Sequence, residues 1–178
     1  MSSPAATFSG HVVPVTSVKQ AYSNWCWAAC CEMFAKFYGF TNLDQYAFVT
    51  KVNGKLPAPT DKFQSTSEAN SAAGPAQFLK YLQEGIPTAK AKEYLDPTKA
   101  PSEMDKDRFT RDAIKRFLDG NRIMIFGSGS HAMILVGYGT KGSEEVIVVM
   151  DPQPGGPVSL SWSSFEKCAW VVYKPRTA

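Results

Sequence analysis

A cysteine at the start of a helical run is the residue best suited to chemistry in this chain. Cys26 follows Asn24, a candidate N-cap, and leads an apolar helical pattern. The positive end of a helix dipole favours a thiolate there, which is the form that attacks a carbonyl carbon. Gln20, six residues earlier, carries a side-chain N–H that could stabilise an oxyanion.

A histidine and an aspartate complete the residue types of a nucleophilic site. His131 begins a strand-like run far downstream of Cys26, and Asp151 ends the next such run, just before Pro152. In an antiparallel hairpin these two positions can lie side by side, and the proline stops the second strand. We therefore expect His131 to act as base and acid for Cys26, with Asp151 fixing the imidazole tautomer.

Each of these residues also has a structural interpretation. Cys26 could be a buried thiol, His131 an ordinary residue at a strand start, and Asp151 the first residue of a turn. Gln20 could be exposed. The tryptophans that flank Cys26, Trp25 and Trp27, could belong to the core or contact a substrate. The occurrence of all the reactive types in one chain favours the catalytic interpretation.

The other cysteines predict no metal site. Cys30, Cys31 and Cys168 do not have the paired spacing of a structural zinc site. Cys30 and Cys31 are interpreted as small buried apolar residues. In an oxidising compartment, one of them could pair with Cys168.

Composition excludes several classes of function. The chain has 178 residues, 44% of them hydrophobic, and a formal charge of +3, which is too weak and dispersed to indicate nucleic-acid binding. An apolar stretch long enough to span a membrane is not found. The first ten residues do not resemble a Sec-type signal peptide.

The remaining pattern predicts helices first and strands afterwards, which is the α+β class. Helices are predicted over 24–38, 43–52, 75–83 and 107–118, with a long surface loop over 57–73. Strands are predicted over 122–126, 131–138, 146–150, 158–162 and 169–173. We expect a mobile tail over residues 1–10 and a single domain over 11–178, with a helical half to about 120 and a sheet half from about 121.

The catalytic segments resemble those of papain-like cysteine peptidases. The resemblance rests on Gln20, on Cys26-Trp27-Ala28, and on the order Cys, His, then Asp151-Pro152, where papain itself has Asn. Together with Val13-Pro14-Val15, they look most like compact bacterial members, including the avirulence-type effector proteases of plant pathogens. Ser161-Trp162 is similar to the papain motif whose tryptophan shields the His–Asn bond, which makes Trp162 a third candidate beside the substrate site.

The resemblance implies a papain-like fold with a cleft between the cysteine-bearing helix and the sheet. It implies a protease that acts on protein or peptide substrates through a thioester, without a metal or organic cofactor. An amidase, deamidase, acyltransferase or cell-wall peptide hydrolase would use the same site, and a catalytically silent peptide-binding module is the non-enzymatic alternative.

The resemblance also suggests a biological setting. We expect a bacterial protein that is secreted without a Sec signal and delivered to a host or rival cell as an effector or toxin, or else a cytoplasmic one. An immunity or activating protein is a candidate partner. Substrate side-chain preference and oligomeric state are left open by the sequence.

Overall fold

A six-stranded antiparallel sheet carries the site in this computed structural model. The structure describes residues 7–54, 110–128, 130–167 and 170–171. The strands are β1 (Phe8–Val12), β2 (Met124–Ser128), β3 (His131–Lys141), β4 (Glu144–Asp151), β5 (Gly156–Ser161) and β6 (Trp170–Val171). Their order across the sheet is β5-β4-β3-β2-β6, and β1 also pairs with β3.

Strand β3 is the centre of this sheet. Along one side, its residues 131–135 pair with β2 and its residues 137–141 pair with β1. Along the other side it pairs with β4, with a register irregularity between Leu135 and Gly137. Residues 132–137 of β3 and 146–150 of β4 are apolar and buried, as expected of strands covered on both faces.

Four helices lie in the described part of the chain: α1 (Cys26–Phe37), α2 (Gln45–Asn53), α3 (Arg111–Asp119) and α4 (Trp162–Glu166). Helix α1 packs against β3, and its residues 26–35 are all buried, which makes it the central helix of the core. The side chains of Asp44 and Thr110 cap α2 and α3 by accepting backbone N–H groups of their first turns. Gly54 ends α2 with a φ of 70°, which glycine adopts without strain.

The α+β class, with helices mostly before the sheet, is confirmed. Helix α1 lies within the predicted range, but its N-cap is Trp25, without a side-chain cap bond, so Asn24 was the wrong choice. Gly39, with a φ of 86°, follows the helix as the sequence indicates. The predicted loop over 57–73 and helix over 75–83 lie outside the described residues.

Two predicted boundaries are wrong. Residues 8–10 belong to β1 rather than to a mobile tail, because they pair with residues 139–141 of β3. That partner is distant in sequence, so the local Ser, Ala and Gly content gave no sign of it. The predicted division into a helical half and a sheet half at about 120 is also wrong. Strand β1 precedes the helices, and helix α4 follows β5.

The backbones of β1 and β3 approach closely at Gly137, so a larger residue there should destabilise the protein. A Cβ at Gly137 would lie 2.5 Å from the His11 carbonyl oxygen and 3.1 Å from the Val12 Cα. We expect Gly137→Ala to lower the free energy of unfolding by about 1–3 kcal/mol, measured by urea denaturation. Gly156→Ala is the matched control, because a Cβ there meets nothing within 4 Å. Equal stability of the two variants would contradict the tight β1–β3 contact.

Candidate active site

Cys26 is the first residue of α1 and its sulfur lies against the start of β3. The Sγ accepts a hydrogen bond from the Ala132 N–H at 3.5 Å and lies 3.9 Å from the Ser130 carbonyl oxygen. The residue is 6% exposed, so its sulfur is largely shielded from solvent. The backbone N–H donor and the positive end of the helix dipole both stabilise negative charge on this sulfur.

His131 and Asp151 form the second half of the site. The His131 Nε2 lies 2.7 Å from the Asp151 Oδ1. Ile134 of β3 pairs with Met150 of β4, and this register brings the beginning of β3 beside the end of β4. The same carboxylate oxygen also accepts the Gln153 N–H at 2.8 Å. Asp151 therefore both orients the imidazole and begins a turn, which joins the two roles considered for it.

The surroundings of His131 favour its protonated form. The hydrogen bond with Cys26 is the main cause that raises the pKa of His131 from 6.5 to about 9, and Asp151 adds to it through its own hydrogen bond and charge. Partial burial acts in the opposite direction. Since Asp151 engages Nε2, the Nδ1 atom is the ring nitrogen left for Cys26. This arrangement is suited to an imidazolium that neutralises a thiolate.

Gln20 lies next to the site, but its amide is oriented differently from the prediction. The Nε2 donates to the carbonyl oxygens of Tyr22 at 2.9 Å and Ser23 at 2.8 Å, which occupies both of its protons. At 4% exposure the residue is buried, so the exposed alternative is wrong as well. Its backbone N–H donates to the Pro152 carbonyl at 2.8 Å. In this conformation Gln20 connects the segment before Cys26 to the Asp151 turn, and an oxyanion would need another donor.

The backbone offers a candidate for this donor. Cys26 is the first residue of α1, where N–H groups have no carbonyl one turn earlier within the helix. Its N–H therefore remains the predicted oxyanion donor, without the help expected from the Gln20 side chain in this orientation.

The three tryptophans proposed as substrate contacts are core residues. Trp25, Trp27 and Trp162 are 0%, 1% and 2% exposed. Their large apolar rings contribute more to stability inside the core than at a wet cleft, so burial prevailed over the functional interpretation. The prediction that they offer surface to a substrate is wrong for this conformation.

Trp162 is also too far from the imidazole to shield it. It is the first residue of α4, directly after Ser161, which pairs with Val146 near the start of β4. Asp151 ends that strand, about 17 Å away at the usual rise of a β-strand. The Arg111 guanidinium lies over the Trp162 ring at 5.4 Å, so the ring connects α4 to α3 instead.

The other described cysteines are structural. Cys30 and Cys31 are free and fully buried, and burial raises the pKa of both thiols well above the ordinary value. They therefore remain protonated and unreactive at neutral pH. Cys168 lies outside the described residues. Within the described ranges, groups of three or more potential metal ligands are not found, and none of the helices is long and apolar enough to cross a membrane.

Two contributors to the site were not foreseen from the sequence. The Ala132 N–H reaches the sulfur through the backbone, and alanine as a residue type carries no sign of that role. Gln45 is a buried glutamine that bonds the segment around Gln20. A glutamine at the start of a helix is usually solvated, so only the fold could bring out its position.

Comparison with known protein families places the chain in one of them. Curated proteins gave no match to the chain. The sequence profile of the Peptidase_C39 like family, in contrast, matches residues 12–177, a span that contains Cys26, His131 and Asp151. The α+β fold is that expected of a papain-like peptidase of this kind. On the match over nearly the whole chain, the protein belongs to the Peptidase_C39-like family of cysteine peptidases.

Proposed function

We propose that this protein hydrolyses peptide bonds in protein or peptide substrates through a Cys26–His131–Asp151 triad. The observation that supports it best is the position of His131, whose Nε2 lies 2.7 Å from the Asp151 Oδ1 and whose chain neighbour Ala132 donates its N–H to the Cys26 sulfur. A nucleophile, a proton carrier and an orienting carboxylate in contact are the parts that acyl transfer requires.

The proposed reaction begins with attack of the Cys26 thiolate on the scissile carbonyl carbon. The carbonyl oxygen becomes an oxyanion, which the Cys26 backbone N–H stabilises. The His131 imidazolium donates its Nδ1 proton to the leaving amine, the C–N bond breaks, and a thioester remains. Neutral His131 then takes a proton from water, the hydroxide attacks the thioester, and the acid product leaves with the thiolate–imidazolium pair restored.

Asp151 is the orienting group of this cycle. It accepts the His131 Nε2–H in every step, which keeps the other ring nitrogen directed at the sulfur and stabilises the charged ring. The Gln153 N–H holds the same carboxylate oxygen and limits its rotation.

The test is labelling by an irreversible epoxide inhibitor of papain-like proteases, followed by peptide mapping with mass spectrometry. We expect rapid single labelling at Cys26 that is lost in His131→Ala, because the proposed reaction needs the imidazole as the proton carrier beside the sulfur. Cys30 and Cys31 should remain unlabelled in the native protein and react only after unfolding. Equal labelling of all three, or none at Cys26, would reject the triad and favour a silent peptide-binding module.

The same site could transfer an acyl group to another acceptor or act on a different amide. Mass spectrometry of treated substrates distinguishes these reactions, because a peptidase produces two chain fragments whereas a side-chain amidase leaves the backbone intact and releases ammonia. Cleavage of purified peptidoglycan would identify a cell-wall hydrolase.

The role as a secreted effector or toxin is a proposal supported by the sequence resemblance. It is tested by expressing the protein in the target compartment beside Cys26→Ala. Equal harm from both proteins would remove the catalytic version of this role.

A further inference from the structure

A single buried glutamine bridges the two backbone groups that flank Gln20. The Gln45 Oε1 accepts the Ala21 N–H at 2.9 Å, and its Nε2 donates to the Lys19 carbonyl at 3.1 Å. The residue is 6% exposed, so neither backbone group has ready access to water in its place. The amide thus makes the pair of bonds that a neighbouring strand would make.

The opposite side of the same segment holds the triad. The Gln20 N–H donates to the Pro152 carbonyl at 2.8 Å, one peptide bond from Asp151. Gly155, with a φ of 80°, lies so close that an added Cβ would be 2.8 Å from the Lys19 Cβ. The segment 19–21 therefore has Gln45 on one side and the turn that follows Asp151 on the other.

A residue of helix α1 holds Gln45 in place. Its backbone N–H donates to the Glu32 Oε2 at 2.9 Å, and the Lys36 Nζ lies 2.6 Å from the Glu32 Oε1. Glu32 is buried at 6% exposure on the helix that begins with Cys26. Hydrogen bonds of Glu32, Gln45 and Gln20 thus connect the helix that begins with Cys26 to the turn that follows Asp151.

We propose that Gln45 is a positioning residue for the triad, acting through segment 19–21 to hold the Asp151 carboxylate against His131. The inference rests on the proposed function above. The Gln45 side chain bonds only backbone groups and has no part in the proton transfers, so its loss should slow the chemical step and leave substrate binding unchanged. Small displacements of catalytic groups are known to cost up to about 100-fold in rate.

The test is Gln45→Met, which keeps the side-chain length and removes both bonds. We expect the labelling rate at Cys26 and kcat to fall about 10- to 100-fold with KM unchanged. The downfield NMR resonance of the His131 Nε2–H should shift or broaden, because its bond to Asp151 is no longer held. If this variant does not fold, the same measurements are made on Gln45→Glu. That variant keeps an acceptor for the Ala21 N–H but lacks the donor to the Lys19 carbonyl.

The matched control is Asp44→Ala. It removes the N-cap of α2 but leaves the side-chain bonds of Gln45 in place. An equal loss of rate in Asp44→Ala would show that helix stability, rather than positioning, is responsible, and would overturn the inference.

Parallel measurements on the unmodified protein separate the two proposals. If the unmodified protein shows no His131-dependent labelling, the triad itself fails and the positioning role fails with it. If that labelling is present and Gln45→Met retains the wild-type rate and NMR resonance, only the positioning role is overturned.

Discussion

Replacement of Cys26 by alanine is expected to lower kcat/KM for a peptide substrate by at least about 10⁴-fold, and His131→Ala by a similar factor. Cys26→Ala removes the sulfur that accepts the Ala132 N–H of β3. The alanine at 131 removes the counter-charge of the thiolate and the proton for the leaving amine. Rates of hydrolysis over substrate concentration, with circular dichroism to verify folding, provide the measurement.

The double variant makes this prediction sharper. Because the two groups act as one unit, Cys26→Ala combined with His131→Ala should be no slower than either single variant. Cys31→Ala is the matched control. It removes a buried thiol that lies on the same helix but makes no bond to the site residues. Additive losses, or a similar loss in Cys31→Ala, would contradict a shared catalytic step.

Hydrolysis should fall on the alkaline side with an apparent pKa of about 9, the value to which Cys26 and Asp151 raise the imidazole of His131. The active form holds His131 protonated, so activity is lost as pH rises through that value. The free energy of unfolding changes with pH in the same direction. The pKa of His131 in the folded protein exceeds 6.5, so its interactions with Cys26 and Asp151 stabilise the fold fully below about pH 6.5. This stabilisation is lost as the pH rises through about 9.

The variant Asp151→Asn should move this alkaline limb toward 6.5. Asparagine can still accept the Nε2–H, but it lacks the charge that favours the imidazolium. Profiles of kcat/KM against pH measure the shift. Glu145→Gln is the control, because Glu145 is exposed and pairs with Arg111 and Lys115 near the other end of β4. An unchanged limb in Asp151→Asn would show that Asp151 does not support the charge on His131.

The α+β class and the contact between His131 and Asp151 were predictable from the sequence because both depend on local signals. A cysteine at the start of an apolar helix, and a histidine and an aspartate at strand ends, keep their positions once the strands pair. The hairpin of β3 and β4 follows from short-range turns, so the His131–Asp151 contact could be anticipated.

Other parts of the site depend on contacts between distant segments, and the sequence does not encode these in any single pattern. The orientation of Gln20 is set by the carbonyls of Tyr22 and Ser23, and the role of Gln45 by its contact with residues 19 and 21. The tryptophans on either side of Cys26 illustrate the same limit. Their positions in the sequence do not indicate which face of the start of the helix is buried.

The central position of β3 has a consequence for how the protein gains activity during folding. Cys26 and Ala132 are 106 residues apart in sequence, and β1 must cross to the far half of β3 before the sheet is complete. Closure of such long loops is entropically costly and comes late on folding routes dominated by distant pairings. We therefore expect the contact between Cys26 and Ala132, and with it the candidate site, to form late in folding.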